Sequence, residues 1–340
     1  MKRTAVLYTA GFAVAAALFF IAAAHGASGK HVLKIATLAP EGSAWMNLFD
    51  EINTDIMQQT DNRVRFRVYA GGVLGDEEDV MRKMFVGQVH GAVVTASSLT
   101  RILPDMDVLQ VPFLFQNYEE VDYLLSKMDA YFRDSMDKNG YVMLGWSEGG
   151  FIRLMSTVPV VTIEDLRKAK VWVWAQAPMT RAIFKEMGVS GIPLSMPDVL
   201  VGLQTGLVDV VYAPPAGAIS LQWFTKTKYI TNVPLMYITG IIIVKKNVFD
   251  QLPTDDQAIV RASFNRQQER MKKTVRAENR SALQVMTGSG IQLLEVSKEE
   301  IEKFKKITDR AIQQPGSASF PQETLIQVTA HLEVFRKEKP

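Results

Sequence analysis

No cysteine occurs in the 340 residues of the chain. Its absence excludes disulfides, a thiolate nucleophile, Cys-ligated zinc and a lipid-modified cysteine. Stability then has to come from a buried apolar core, and a chain of this length can build one. Histidine is nearly as scarce: His25, His31, His90 and His331 are the full set, and their spacing suits no metal. The acidic residues Glu77, Glu78 and Asp79, and the pair Glu299 and Glu300, read as solvated helix starts, where negative charge complements the helix dipole. An enzyme is therefore not expected, and neither is a cofactor. Excess charge is missing as well, since Lys+Arg total 38 against Asp+Glu 36, a formal +2. A nucleic-acid partner needs a basic footprint and is excluded on this ground. Gly72 and Gly75 make half a phosphate-cradling loop, but neither GxGxxG nor GKS/T follows them. Internal repeats and low-complexity stretches are absent too.

What is present begins with an export signal. Lys2 and Arg3 precede an apolar run over 5–24 and then small residues, the layout of a secretory signal peptide over 1–26. The small pair before the cut falls at 22–24 or 24–26. An uncleaved inner-membrane anchor is the alternative, since about 20 apolar residues just span a bilayer. No later run is long enough to cross. Without Lys2 and Arg3 the chain balances its 36 acidic residues, and the expected destination is the periplasm.

Residues 170–215 organise the rest. KVWVW alternates Val171 and Val173 with Trp172 and Trp174, a short strand with two unlike faces. A helical pattern over 175–187 stops at Gly188, a C-cap. IPLSMPDVLVGLQTGLVDVVYAPP then supplies a Pro-led helix, Gly206 as its stop, and the buried-type strand LVDVVYA. Strand, helix, helix and strand within about 45 residues make a βαβ-like unit of a mostly parallel sheet, whose strand ends line a crevice. Upstream, HVLKIAT is a strand that turns through LAPEGSAW into a helix capped by Ser43, with Trp45, Leu48, Phe49, Ile52 and Ile56 at helical spacing. In DNRVRFRVYAGG, Val64, Phe66 and Val68 share one face and Arg63, Arg65 and Arg67 the other, a solvated face or edge in preference to a phosphate track. Gly149 and Gly150 break a strand where the chain crosses between domains. Downstream, 254–286 reads as one long helix bracing both domains.

In this order, KIATLAPEGSAW, RVYAGGVLGDEEDVMRKMFVGQVHGAVVTASS, LPDMDVLQVPFLF, TIEDLRKAKVWV and LVGLQTGLVDVVYAPP resemble the periplasmic solute-binding proteins of TRAP transporters, over residues 34–311. The resemblance implies an α/β, two-lobed periplasmic-binding-protein fold with mixed sheets, crossing strands and a long bracing helix. Domain I would take 30–149 and 241–286, and domain II 150–240 and 287–330. It also implies a cleft that closes on a small-molecule solute, and the membrane permease subunits of a TRAP transporter as partner.

The chain departs from that family where the solute is held. Members generally carry an arginine in the strand after EDL that pairs with a substrate carboxylate, and this position falls on Trp172. A polar position shortly after falls on Ala175 or Gln176, and an aromatic one before LQTG falls on Met196. The family's DGQENP after LQTG is here DVVYAP, without the Glu and Asn, and brings Tyr212 and Ala213 to the site. Arg153 in GFIRLMS stands near a second arginine that some members use. Leu38, Thr95 and Ser97 lie at strand ends facing the crevice.

An indole offers one N–H donor and does not replace a bidentate guanidinium. A carboxylate closed in without that partner costs several kcal/mol. Burying roughly 150–250 Å² of Trp172 against an apolar ligand returns about 4–6 kcal/mol at ~25 cal/mol per Å². The expectation is an apolar or aromatic-bearing solute. The alternatives are an organic acid held by Arg153, or a scaffold or sensor subunit with a degenerate cleft. For Trp172, Trp174 and Met196, ordinary core packing is the competing reading.

Overall fold

The computed structural model describes residues 30–174, 177–314 and 320–339. The export segment and Ala175 therefore lie outside the described residues. In chain order the strands are β1 (His31–Thr37), β2 (Val64–Tyr69), β3 (Gly91–Thr95), β4 (Tyr141–Phe151), β5 (Arg153–Ser156), β6 (Val171–Trp174), β7 (Gly191–Leu194), β8 (Val210–Ala213), β9 (Tyr229–Thr231), β10 (Tyr237–Lys245) and β11 (Gln292–Leu294). The helices around them include α1 (Ala44–Gln59), α2 (Glu77–Phe85), α3 (Tyr118–Lys138), α4 (Pro215–Ser220), α5 (Thr254–Gly288) and α6 (Gln322–Glu338).

The strands form two mixed sheets, ordered β2-β1-β3-β10-β4 and β11-β9-β5-β8-β6-β7. Side-chain pattern explains where each strand sits. In β2, Val64 and Phe66 are buried while Arg65 and Arg67 are exposed, as period-two alternation at a sheet edge demands. Arg63 turns aside to Asp256 on α5, with Nε and Nη2 donating to the carboxylate at 3.1 and 2.8 Å. By contrast all four residues of β6 are buried. This strand lies parallel between β8 and β7, and such interior strands are covered on both faces.

Two segments cross between the sheets. The chain leaves β4, passes Ile152 and enters β5, and it returns from β9 into β10. The crossing segments stay paired: Ile152 N donates to Met236 O at 2.8 Å, and Leu235 N to Ile152 O at 2.9 Å. At the bend Gly150 has φ +101°, a conformation open to glycine and strained for other residues. Its neighbour Gly149 offers a carbonyl to Asn279 Nδ2 at 3.0 Å, and Asn279 Oδ1 accepts from Ala216 N on α4 at 3.1 Å.

Helix α5 runs 35 residues and packs on α1, β4 and α4, so it braces both lobes. The last helix, α6, packs on α3, with Tyr123 and Phe335 rings 4.8 Å apart and Arg336 donating to Glu120 at 2.7 and 2.8 Å. Among the described residues no helix is long and apolar enough to cross a membrane.

Candidate functional site

A cavity of about 270 Å³ lies between the two sheets, under the strand ends. The first lobe lines it with Leu38 after β1, Thr95 and Ser97 after β3, and Glu77 at the start of α2. The second lobe contributes Trp172, Tyr212, Ala213 and Met196, and α5 contributes Val275 and Glu278.

Several of these side chains are already occupied by the protein itself. Trp172 is 1% exposed, donates its indole N–H to Leu194 O at 3.1 Å, stacks on Tyr212 with centroids 4.8 Å apart, and meets Trp223 edge-on at 5.3 Å. Trp172 thus stands among the lining residues with its ring also packed against Tyr212 and Trp223. Thr95 gives both N–H and hydroxyl to Glu77, at 3.0 and 2.7 Å, and Ser98 adds a third donor. Ser97 donates to Asp107 at 2.9 Å and accepts from Gln110 at 2.8 Å.

Arg153 calls for a correction. It does not line the cavity, and its Nη1 donates to the Thr231 carbonyl at 3.0 Å. Burial pulls this guanidinium below its ordinary value, and the backbone carbonyl of β9 is the partner within reach. Its neighbour Ile152 takes the cavity-lining position instead.

Glu77, read from sequence as a solvated helix start, is 4% exposed. Burial pushes its carboxyl up to about 7, against the hydrogen bonds from Ser98 and Thr95, and nearby Asp76 adds to the rise. Asp76 caps α2 through Oδ1, which accepts from Glu77 N at 2.8 Å. Its Oδ2 accepts from across the cleft: Trp174 Nε1 at 2.9 Å and Met196 N at 3.4 Å. Asp76 and Trp174 are each 7% exposed. The GGVLGD stretch thus provides an interlobe contact rather than a phosphate loop.

Glu148, from β4, also lines the cavity, but Arg276 neutralises it with Nε 2.9 and 3.1 Å from its oxygens. The same guanidinium holds Asp122 at 2.8 and 2.7 Å. Among the described lining residues no Lys, Arg or His occurs, while three carboxylates do, Glu77, Glu148 and Glu278.

Trp45 and Glu278 are among the lining residues that sequence reading missed. Trp45, assigned only to the core face of α1, is 8% exposed with its indole nitrogen unpartnered. Its place just after the LAPEGSAW turn was the available signal. Glu278 stands on the same flank of α5 as the buried Val275 and Ala282, at helical spacing of three and four. Residues 145–149, GWSEG, match the Gly-x-Ser-x-Gly pattern of a nucleophile elbow. They run inside β4 without the strand-to-helix turn that such an elbow requires, and among the described residues no histidine lines the cavity. Among the described residues no group of three or more acidic or histidine side chains is placed to hold a metal.

Two α/β lobes joined by crossing strands around a solute-sized cleft have the architecture of a periplasmic-type binding protein. The model of the bacterial extracellular solute-binding proteins, family 7, matches residues 35–317, and the chain belongs to that family, the periplasmic receptors of TRAP transporters. A solute-binding protein of Sulfitobacter sp. is 26% identical over 261 residues, covering 76% of this chain and 77% of the relative. The TRAP solute-binding protein of Citrobacter koseri with bound D-glucuronate aligns with TM-score 0.79 at 25% identity, over 88% of this chain and 98% of its own. The sugar-acid-binding protein of Advenella mimigardefordensis in complex with galactonate aligns with TM-score 0.82 at 20% identity, over 90% and 99%. These two structures hold acids and lend no support to an apolar solute.

Proposed function

We propose that this receptor captures a small organic solute that does not rely on a carboxylate–arginine grip, and hands it to a TRAP-type membrane permease. The observation that carries this reading is the lining itself: three carboxylates and no cation among the described residues. A closed cleft favours a charge only when an opposite charge or several donors meet it. The donors present on Thr95, Ser97 and Trp172 are engaged within the protein. The test is titration calorimetry of the purified protein with D-glucuronate and succinate against uncharged solutes of similar size. The acids are expected to bind in the millimolar range or weaker, and micromolar binding of either overturns the reading.

A second reading is favoured by the glucuronate and galactonate bound in the two structural neighbours. In it Arg153 leaves the Thr231 carbonyl and takes a solute carboxylate. Arg153→Ala separates the two: it abolishes acid binding in the second reading and leaves uncharged solutes unaffected in the first.

A further inference from the structure

We propose that Glu278 and Trp45 recognise a solute carrying a positively charged nitrogen beside a hydrogen-bond acceptor, that is, a small amino alcohol, amino amide or similar ammonium compound. This rests on the reading that the cleft does not grip a carboxylate through arginine.

Glu278 lines the cavity and is half-buried, and burial raises its carboxyl above the ordinary value. Among the described residues no hydrogen bond or ion pair reaches it. The positions a helical turn away on α5 are Thr274, Val275, Ser281 and Ala282, none of which is cationic. Of the arginines two positions to either side, Arg276 is held by Asp122 and Glu148, and no ion pair joins Arg280 to Glu278 among the described residues. Glu77, the other unneutralised lining carboxylate, has its oxygens filled by Thr95 and Ser98. Glu278 is therefore the lining carboxylate left to accept a proton donor from the solute.

Trp45 supplies the complementary group. Its indole N–H is buried without an acceptor among the described residues, and the side chain lines the same cavity. A buried donor in this position is completed by an acceptor oxygen on the bound solute. The helices that carry the two residues, α1 and α5, pack directly on one another. An ammonium for Glu278 and an oxygen for Trp45 are thus asked of one molecule. The surrounding field favours the same sign, because the lining carboxylates have no cation among them beyond the one pairing Glu148.

The experiment uses matched triads on one carbon skeleton: benzylamine, benzyl alcohol and benzoate, with ethanolamine, ethylene glycol and glycolate as the smaller set. Binding to the purified receptor is read by thermal shift and calorimetry. The amine of a triad is expected to bind at least about tenfold tighter than its alcohol, the size of one hydrogen bond to a charged group. Glu278→Gln should collapse that ratio to near one, and Trp45→Phe should weaken the oxygen-bearing ethanolamine more than benzylamine. Circular dichroism of both variants checks that they fold. Equal binding of amine and alcohol overturns this inference and leaves the proposed function standing. Tightest binding of the carboxylate overturns both. Absence of stabilisation by every member of both triads also overturns this inference, since the site would then recognise neither group.

Discussion

Two polar contacts near the cleft differ in chemistry. At the crossing strands, Arg276 is flanked by two carboxylates and lies 4.4 Å from the Tyr118 ring, and Asn279 ties Gly149 to α4. At the Asp76 contact, one carboxylate oxygen accepts from Trp174 and Met196 of the opposite lobe. The first joins segments that the covalent chain already holds together. The second joins segments about a hundred residues apart that separate whenever the cleft opens. The contrast sets a contact within the covalent framework against one that spans the cleft, and a contact of the second kind favours a closed form.

Breaking the first contact should have the largest effect. Arg276→Met leaves Glu148, whose side chain is 4% exposed, as an uncompensated buried charge beside Asp122. Removing one partner of such a buried pair costs about 3–5 kcal/mol. Urea unfolding is expected to show that loss, and a change within 1 kcal/mol would mean that the crossing strands do not depend on this cluster.

Next in size is the pH dependence set by Glu77, the neighbour of Asp76. Its carboxyl titrates near 4.5 when unfolded and at about 7 when folded. The folded state therefore holds the proton more tightly, so stability falls as pH rises through that window and levels off above it. Glu77→Gln should flatten the slope, by roughly 1–3 kcal/mol between the two ends. Melting temperature against pH for both proteins checks this, and parallel curves would remove Glu77 as the cause.

The smallest effect on folding is expected at the second contact. Trp174→Phe keeps the ring and removes the donor to Asp76, at about 1–2 kcal/mol to the closed form. Dissociation of a bound solute should accelerate roughly tenfold while the urea midpoint moves little. An unchanged dissociation rate would show that Asp76 does not hold the lobes together.

Much of the architecture was legible in the sequence because it rests on local pattern. The alternation in β2 and the long helix 254–286 each depend on a few neighbouring residues, and the structure shows both; the glycine pair lies at the bend, but β4 runs through it to Phe151 and the strand breaks at Ile152 instead. The cleft was less legible because its side chains are decided by distant partners. Whether Arg153 faces a solute depends on a carbonyl 78 residues away. Whether Trp172 offers an open face depends on Tyr212 and Trp223. Glu77 carries the sequence signature of a solvated helix start, yet the loop after β3 folds over it and supplies its donors. Trp45 and Glu278 looked like ordinary members of amphipathic helices, since no local pattern marks which flank of a helix borders empty space.

The paired ribbon at 152 and 235–236 has a mechanical consequence. Its two strands remain bonded backbone to backbone through the bend, so a change in the angle between the lobes can be shared as small torsions over both strands. No amide needs to be handed to water for that to happen. The joint has the build of a leaf spring rather than of a loose thread.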